Sequence, residues 1–185
     1  MKQVAYYLFD TPIGSCGIAW SEDPDASGAP AVAFFQLPEA TLKETERRIA
    51  RNAGANRATA PPASIARMIE RIIRHLHGEP QDFSDINLDL EECGPFARQV
   101  YQAARKIPAG KTRTYGELAK VVRNPGAARA VGQALGKNPI PLIIPCHRIL
   151  AAGGKPGGFS AHGGCATKAK MLEIEGATMG KYRRA

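Results

Sequence analysis

Residues 114 to 139 read TYGELAKVVRNPGAARAVGQALGKNP and carry two sets of helix-start signals. Thr114 and Glu117 have the spacing of a capping box, in which two side chains satisfy the free amides of a helix N-terminus. Asn124 and Pro125 are the residue types found at an N-cap and at the first position of a helix. The run therefore predicts two short helices joined by a tight turn, which is a helix-turn-helix.

The second of these helices presents mainly small side chains outward. Its predicted buried stripe is Ala128, Val131 and Leu135, and the outward residues are Arg129, Ala130, Gly132 and Gln133. Small residues let a helix backbone approach DNA closely, and an arginine among them can enter a groove or the base stack. A helical hairpin with one solvated arginine would show the same pattern, and so would a transcription regulator.

Residues 138 to 150, NPIPLIIPCHRIL, follow this helix directly. An apolar run bounded by prolines leads into Cys146, which predicts a buried thiol that can sit at the mouth of a pocket. Because a free thiol is largely protonated at neutral pH, a nucleophilic cysteine needs a base or positive charge nearby. His147 and Arg148 are candidates for these two functions. A structural cysteine is the common alternative, since side chains adjacent in sequence usually point apart.

The charge of the chain is unevenly distributed. Residues 1 to 97 hold nine Lys/Arg and fourteen Asp/Glu, a balance of −5, whereas residues 98 to 185 hold sixteen Lys/Arg and three Glu, a balance of +13. Neutralising phosphates releases counterions and gives affinity without reading sequence, so the asymmetry favours a nucleic-acid partner. Solvated lysines and arginines remain the alternative.

Upstream of the helix-turn-helix, the sequence predicts a mixed α+β arrangement. An antiparallel meander is predicted from three apolar segments separated by TPIG and EDPDASGAP, namely VAYYLF (4 to 9), SCGIAWS (15 to 21) and AVAFFQL (31 to 37). Two helices follow. The first has a capping box at Thr41 and Glu44, and the second covers about 63 to 77 with a buried stripe of Ile65, Met68, Ile72 and Leu76. INLDL (86 to 90) alternates like a short strand.

These elements indicate two domains. Residues 1 to 92 form a small antiparallel sheet with helices and a structural role, and residues 93 to 185 form a mostly helical, DNA-binding domain. The second domain opens with a helix over 96 to 107 that has Phe96, Val100, Ala103 and Ile107 on one face.

Composition excludes several classes of protein. The four cysteines contain no CxxC pair, which fits a reducing cytoplasm rather than a disulfide scaffold. MKQVAYYLFD lacks the apolar core of a signal peptide, and no apolar run approaches the ~20 residues of a membrane helix. We therefore expect a cytoplasmic protein that does not bind membranes, and we expect it to be a monomer.

PCHRIL (145 to 150), preceded by NPIPLIIP, resembles the signature of the O6-alkylguanine-DNA alkyltransferases, also called methylated-DNA-protein-cysteine methyltransferases. The resemblance runs from about Gly94 to Gly176, through GPFARQVY, IPAGKTRTYGELA, GAARAVGQAL and KMLEIEG. It implies a protein that flips O6-alkylguanine out of duplex DNA and moves the alkyl group irreversibly to Cys146, once per molecule. No cofactor and no metal are implied. The N-terminal part resembles the family only in its strand-then-helix plan.

The resemblance also implies residue roles. Cys146 would be the nucleophile, with His147 acting on its sulfur through a water, Glu175 orienting His147, and Asn138 tying the second helix to the cysteine segment. Tyr115 would contact the flipped guanine, and the Cys146 and Ile149 backbone would accept from its amino group. Phe159 would form an aromatic wall, and the Ser160 amide would hold O6. Arg129 would fill the gap left in the duplex. Further contacts through the minor groove would come from Arg113, Ala130 and Gln133.

One loop departs from the family's usual pattern. FSAHGG (159 to 164) has Phe159 in place of the usual tyrosine and two extra residues before Thr167 and Lys168. The substitution removes a hydroxyl, for which His162 is a candidate replacement. The longer loop either sets the tolerance for bulky alkyl groups or bulges into solvent.

Other classes of function account for only part of the sequence. An alkyltransferase-like DNA binder would lack the cysteine of the PCHR motif, and a helix-turn-helix regulator would not need PCHR. A cysteine hydrolase would not need the DNA surface. A metal site is a further alternative, because Cys146, His147, His162 and Cys165 lie close in sequence, but they lack zinc-finger spacing and a metal would quench the thiol. The first domain has Cys16, His75, His77 and Cys93, in no recognisable zinc pattern.

Overall fold

The structure is a computed structural model that describes residues 3 to 22 and 30 to 177. It contains two compact units, Met1–Leu90 and Glu91–Ala185. The sequence-based boundary lies two residues further along the chain, and the structural role assigned to the first unit stays a prediction. Most of the predicted turn EDPDASGAP lies outside the described residues.

The first unit is built on a sheet with the strand order β3-β2-β1-β4. The strands are β1 (Gln3–Thr11), β2 (Gly14–Glu22), β3 (Ala31–Gln36) and β4 (Asn56–Arg57). The predicted antiparallel meander of β1, β2 and β3 is confirmed. β4 pairs parallel to β1 and was not predicted, because two exposed residues show no alternation of apolar and polar side chains.

The predicted strand over 86 to 90 is wrong. Leu88 makes only an isolated parallel bridge with Val32, at the outer edge of the sheet. The alternation of INLDL has a different origin. Ile86 is buried, and the Asp89 side chain accepts a hydrogen bond from Ser21 Oγ at 2.8 Å.

Two helices complete this unit, α1 (Leu42–Ala53) and α2 (Ala63–Leu76). The predicted capping box at Thr41 is present in part. The Thr41 hydroxyl accepts from the Glu44 amide at 3.2 Å, but the Glu44 carboxylate accepts from that hydroxyl and not from the Thr41 amide. α1 packs closely over β2 at Gly17, where a Cβ atom would lie 3.1 Å from Ile49. The predicted stripe of α2 is confirmed, since Ile65, Met68, Ile72 and Leu76 are all buried.

The second unit is mostly helical, as predicted. Its elements are α3 (Pro95–Arg105), β5 (Arg113–Thr114), α4 (Tyr115–Val121), α5 (Ala128–Gly136), β6 (Ile149–Leu150) and α6 (Cys165–Ile174). On the predicted face of α3, Val100 and Ala103 are buried and Phe96 is half-buried. Ile107 is also buried but lies beyond the end of the helix. β5 and β6 pair in parallel, with Arg113 opposite Ile149.

α4 and α5 form the predicted helix-turn-helix, but its second helix begins later than expected. The capping box is present, with the Thr114 amide 2.6 Å from Glu117 Oε2 and the Glu117 amide 3.1 Å from Thr114 Oγ1. Asn124 is not the N-cap of α5, because its carbonyl accepts from the Ala127 amide at 3.0 Å and closes a separate turn. The helix starts at Ala128 without a side-chain cap.

Candidate active site

Cys146 opens a short 3-10 helix, Cys146–Arg148, at the end of the apolar segment. The segment is core, since Ile140, Leu142, Ile143 and Ile144 are all buried. The thiol residue itself is 8 % exposed and lines a cavity of about 320 Å³, a size typical of small-molecule sites. The other lining residues are Tyr115, Gly132, Leu135, Gly136, Gly158, Phe159 and Ser160. The predicted position of the cysteine at a pocket is therefore confirmed.

The Tyr115 ring forms one wall of this cavity and is enclosed by glycines. A Cβ atom on Gly132 would lie 3.7 Å from the ring, in ordinary contact. A Cβ atom on Gly157 would lie 3.0 Å from it, and Gly157 has a φ of +69°. Any side chain at Gly157 would therefore strain the backbone and push the ring.

The Asn138 side chain clamps the segment that leads to the cysteine. Its Nδ2 donates to the Ile144 carbonyl at 2.8 Å, and its Oδ1 accepts from the Ile140 amide at 2.9 Å. Both ends of this short apolar segment are thereby fixed to Asn138, the second residue after α5. This is the link between helix and cysteine segment that the resemblance implies for Asn138.

The Glu175 carboxylate binds the side chains of the two residues that follow Cys146. Its Oε1 lies 2.8 Å from His147 Nε2, and Arg148 contacts both carboxylate oxygens, Nε to Oε2 at 2.9 Å and Nη2 to Oε1 at 2.8 Å. All three side chains are buried. Because an ionised carboxylate only accepts hydrogen bonds, His147 Nε2 carries a proton, which leaves Nδ1 as the basic nitrogen of a neutral ring.

The expectation that Arg148 adds positive charge to the thiol is wrong. Besides Glu175, its guanidinium donates to the Ile107 carbonyl at 2.5 Å. The residue instead fixes the carboxylate that His147 shares. A side chain only two positions after the cysteine thus binds Glu175 and the Ile107 carbonyl.

Groups other than Arg148 determine the pKa of the Cys146 thiol. Burial raises the pKa of Cys146, while a hydrogen bond from Asn138, the charge of Lys168 and backbone hydrogen bonds of Cys146 and His147 oppose that rise. Lys168 is buried, and burial lowers the pKa of its ammonium. Its Nζ donates to the carbonyl groups of Ile149 and Gly158 and lies 5.9 Å from the centroid of the Tyr115 ring.

From the sequence, Lys168 served only as a reference point for the length of the FSAHGG loop and was not identified as a site residue. A signal was available, because Lys168 lies three and four positions before Met171 and Leu172. All three are buried on one face of α6. A lysine on the core face of a helix needs polar partners there, which marks it as a candidate site residue.

The predicted DNA-contacting residues lie on two elements of the second unit. Arg129 and Gln133 are exposed on α5, Ala130 is half-buried on the same helix, and Arg113 is exposed in β5. Their contact with DNA stays a prediction.

The loop that departs from the family pattern divides into two parts. Phe159 and Ser160 line the cavity. Ala161 and His162 form a turn into α6, in which the Ala161 carbonyl accepts from the Gly164 amide at 3.0 Å and the His162 carbonyl accepts from Thr167 Oγ1 at 2.6 Å. The His162 side chain is exposed and is not among the residues that line the cavity, so its position does not support it as the replacement for a tyrosine hydroxyl.

Two further features concern residues 3 to 22 and 30 to 177 alone. Within them, no three His, Cys, Asp or Glu side chains are grouped in a way that could hold a metal ion. No helix in this part of the chain has the length and apolar character needed to cross a membrane.

Comparison with known proteins gives consistent results. Residues 95–177 match the family described as 6-O-methylguanine DNA methyltransferase, DNA binding domain. A methylated-DNA–protein-cysteine methyltransferase of Mycolicibacterium paratuberculosis is 34% identical over 172 residues, which cover 93% of this chain and 92% of the relative.

Solved structures are similar over most of the chain. The O6-methylguanine methyltransferase of Mycobacterium tuberculosis has a TM-score of 0.70 at 33% identity, covering 94% of this chain and 93% of the other. Mycobacterium tuberculosis OGT in complex with DNA has a TM-score of 0.69 at 32% identity, covering 92% of each chain. The O6-methylguanine-DNA methyltransferase of Pyrococcus kodakaraensis has a TM-score of 0.64 at 28% identity, covering 95% of this chain and 100% of the other.

Proposed function

This chain belongs to the methylated-DNA–protein-cysteine methyltransferase family and is an enzyme of DNA alkyl repair, and we propose that it moves the alkyl group of O6-alkylguanine onto Cys146. The observation that carries the proposal is the buried Cys146 thiol on the wall of a cavity that the Tyr115 ring also lines. The buried ammonium of Lys168 lies 5.9 Å from the centroid of that ring. A guanine base that enters this cavity would bring its O6 substituent to the sulfur.

Each group near the thiol has a step to perform. The His147 and Glu175 pair takes the thiol proton, through a bridging water, and Lys168 stabilises the thiolate that results. The sulfur attacks the alkyl carbon, so an S–C bond forms as the C–O6 bond breaks. The electron pair of the broken bond stays on guanine. Guanine is restored when it takes up a proton, which balances the one that His147 removed from the thiol. Tyr115 keeps its own proton, because burial raises its pKa, and it remains a hydrogen-bond donor toward the base.

The product makes the reaction stoichiometric. A thioether is not readily reversed by water or by a reductant, so each molecule acts once. The alkyl carbon is already activated by its bond to an aromatic oxygen, so the step needs no cofactor. We place this activity in the cytoplasm and assign it to a monomer.

Delivery of the base requires DNA to bind on the α5 side of the unit. A base in the duplex cannot present its O6 substituent to a buried thiol, so the nucleotide must be flipped out. Arg129 is exposed on α5 and is the candidate to fill the gap in the stack from the minor groove. Arg113, Ala130 and Gln133 supply the remaining contacts of this surface.

The experiment that tests the proposal is intact-protein mass spectrometry after incubation with a duplex that contains one O6-methylguanine. We expect the protein to gain the mass of one methyl group and peptide mapping to place it on Cys146. Excess duplex should add nothing further. Continued turnover with no change in protein mass would contradict the proposal and favour a hydrolase.

A further inference from the structure

Two residues other than glycine have a positive φ in the described part of the chain. Leu142 has a φ of 74° and Arg123 a φ of 59°. Leu142 is 1 % exposed, so the packing of its side chain offsets the strain. Arg123 is exposed, and its side chain makes no hydrogen bond or ion pair with any described residue. The side chain of Arg123 therefore contributes no contact that offsets the strain, unlike that of Leu142.

The backbone at this position requires the left-handed conformation. The Arg123 amide donates to the Lys120 carbonyl at 3.0 Å and the Asn124 amide donates to the Ala119 carbonyl at 2.9 Å, and these bonds end α4. A helix that ends in this way usually has glycine at the left-handed position, because glycine adopts it without strain. An arginine at this position makes the fold less stable than a glycine would. Its presence therefore indicates a function other than stabilising the fold.

The surroundings of Arg123 are cationic. It lies in the turn between α4 and α5, and Lys120 and Arg129 are exposed on the two helices that flank it. The acidic residue of α4 is Glu117, whose carboxylate is bound to the Thr114 amide at the opposite end of that helix. A phosphate could therefore approach the turn without meeting a carboxylate from α4.

We propose that Arg123 binds the phosphate backbone of the duplex, and that this contact keeps an arginine where the fold alone would favour glycine. The inference rests on the proposed function, because that function supplies duplex DNA as the partner. A phosphate contact carries no sequence information but fixes the register of the protein on the duplex. Arg123 would thus help to hold the DNA while Arg129 acts at the flipped base.

Two substitutions separate the charge of Arg123 from its strain. Arg123→Gly removes both, so we expect its Tm to rise by about 2 °C, because relief of strain is partly offset by the greater freedom of glycine in the unfolded chain. Its affinity for an undamaged duplex should fall about 3- to 10-fold at moderate salt, and the slope of log K against log salt should decrease by about 0.9. Arg123→Lys keeps the charge, so its slope should remain that of the parent protein.

The control for net charge is Arg67→Ala, which removes one exposed arginine from α2 in the first unit. An equal loss of slope in Arg67→Ala and Arg123→Gly would overturn the proposal, as would an unchanged slope in Arg123→Gly. A lower Tm for Arg123→Gly would overturn the claim that arginine is costly there. Transfer from free O6-benzylguanine, measured by protein mass, tests the proposed function separately, since it needs no DNA backbone. Failure of that reaction would count against the acceptor, whereas the salt slopes decide the role of Arg123.

Discussion

Cys16 in the first unit and Cys146 in the second are both buried thiols, yet their surroundings differ. Burial raises the pKa of Cys16 to about 12, a hydrogen bond with Thr11 lowers it, and the charge of Asp10 raises it further. Around Cys146, Asn138, Lys168 and two backbone groups oppose the effect of burial. Cys146 lines a cavity, whereas Cys16 is 0 % exposed within a strand. Burial alone therefore does not make a thiol inert or reactive. The opposing groups and an opening for substrate decide its reactivity.

The largest expected effect is the difference in alkyl transfer between substitution of Cys146 and substitution of Cys16. Cys146→Ser should abolish alkyl transfer, whereas Cys16→Ser should keep the rate and lose about 1–2 kcal/mol of stability, because a more strongly polar hydroxyl replaces a fully buried thiol. Intact mass after reaction with methylated duplex and urea unfolding measure the two results. A label found on Cys16, Cys93 or Cys165 would refute the assignment of the acceptor.

The second prediction tests delivery of substrate to the cavity of Cys146. Arg129→Ala should slow transfer from duplex DNA about 10- to 100-fold and change transfer from the free alkylguanine base by less than about 2-fold. The reason is that only the duplex requires base extrusion, which costs a few kcal/mol. Single-turnover rates on the two substrates provide the measurement, and the free base serves as the internal control. Equal losses on both substrates would count against the role of Arg129.

The third prediction makes the surroundings of Cys146 more like those of Cys16. Lys168→Met removes the buried cation, so burial raises the pKa of Cys146 with less opposition and the thiolate forms only at higher pH. We expect the rate on the free base to fall about 10-fold at neutral pH and the rising limb of the pH-rate profile to move to higher pH.

The matched control for this prediction is Lys170→Met on the same helix, where the side chain is exposed. It should leave the profile unchanged. Urea unfolding of both variants shows whether Lys168→Met remains folded, since Lys168 also binds two carbonyl groups. A folded Lys168→Met variant with the parent profile would show that the cation does not assist the thiol.

The smallest expected effect concerns the wall of the cavity. Deleting Ala161 and His162 should change the ratio of benzyl to methyl transfer by a few-fold if the loop limits space for the alkyl group. Because the deleted turn leads from Phe159 and Ser160 into α6, its removal would move these two lining residues. The rates of benzyl and methyl transfer, measured for the parent protein and for the deletion variant, test this expectation. An unchanged ratio would mean that the two residues merely bulge into solvent.

Local sequence signals predicted much of this molecule. The spacing of Thr114 and Glu117 located the start of α4, and the apolar run before Cys146 predicted a buried thiol at a pocket. These features depend on residues within one or two helical turns of each other. Their physical causes, capping and burial of apolar surface, therefore appear directly as residue patterns.

Features that depend on distant parts of the chain were missed or mistaken. Arg148 pairs with Glu175, which is 27 positions away, and no pattern near Arg148 distinguishes that partner from the adjacent thiol. Lys168 contacts Ile149 from another element. The start of α5 was misplaced for a different reason, since Asn-Pro is equally suited to a turn and to a helix N-terminus.

The short parallel ladder of β5 and β6 links the beginning of the helix-turn-helix to the residues that follow Cys146. The chain that it encloses contains α4, α5 and the cysteine segment, so closing this loop carries an entropic cost that is offset only when both ends are in place. These parts should therefore open in one cooperative step, which would give similar hydrogen-exchange protection to the amides of Ile149 and of α5. A molecule that opens here would lose the helix-turn-helix and the proposed acceptor, Cys146, together. Such an opened molecule would leave the alkylated base accessible to a second copy of the protein instead of covering it.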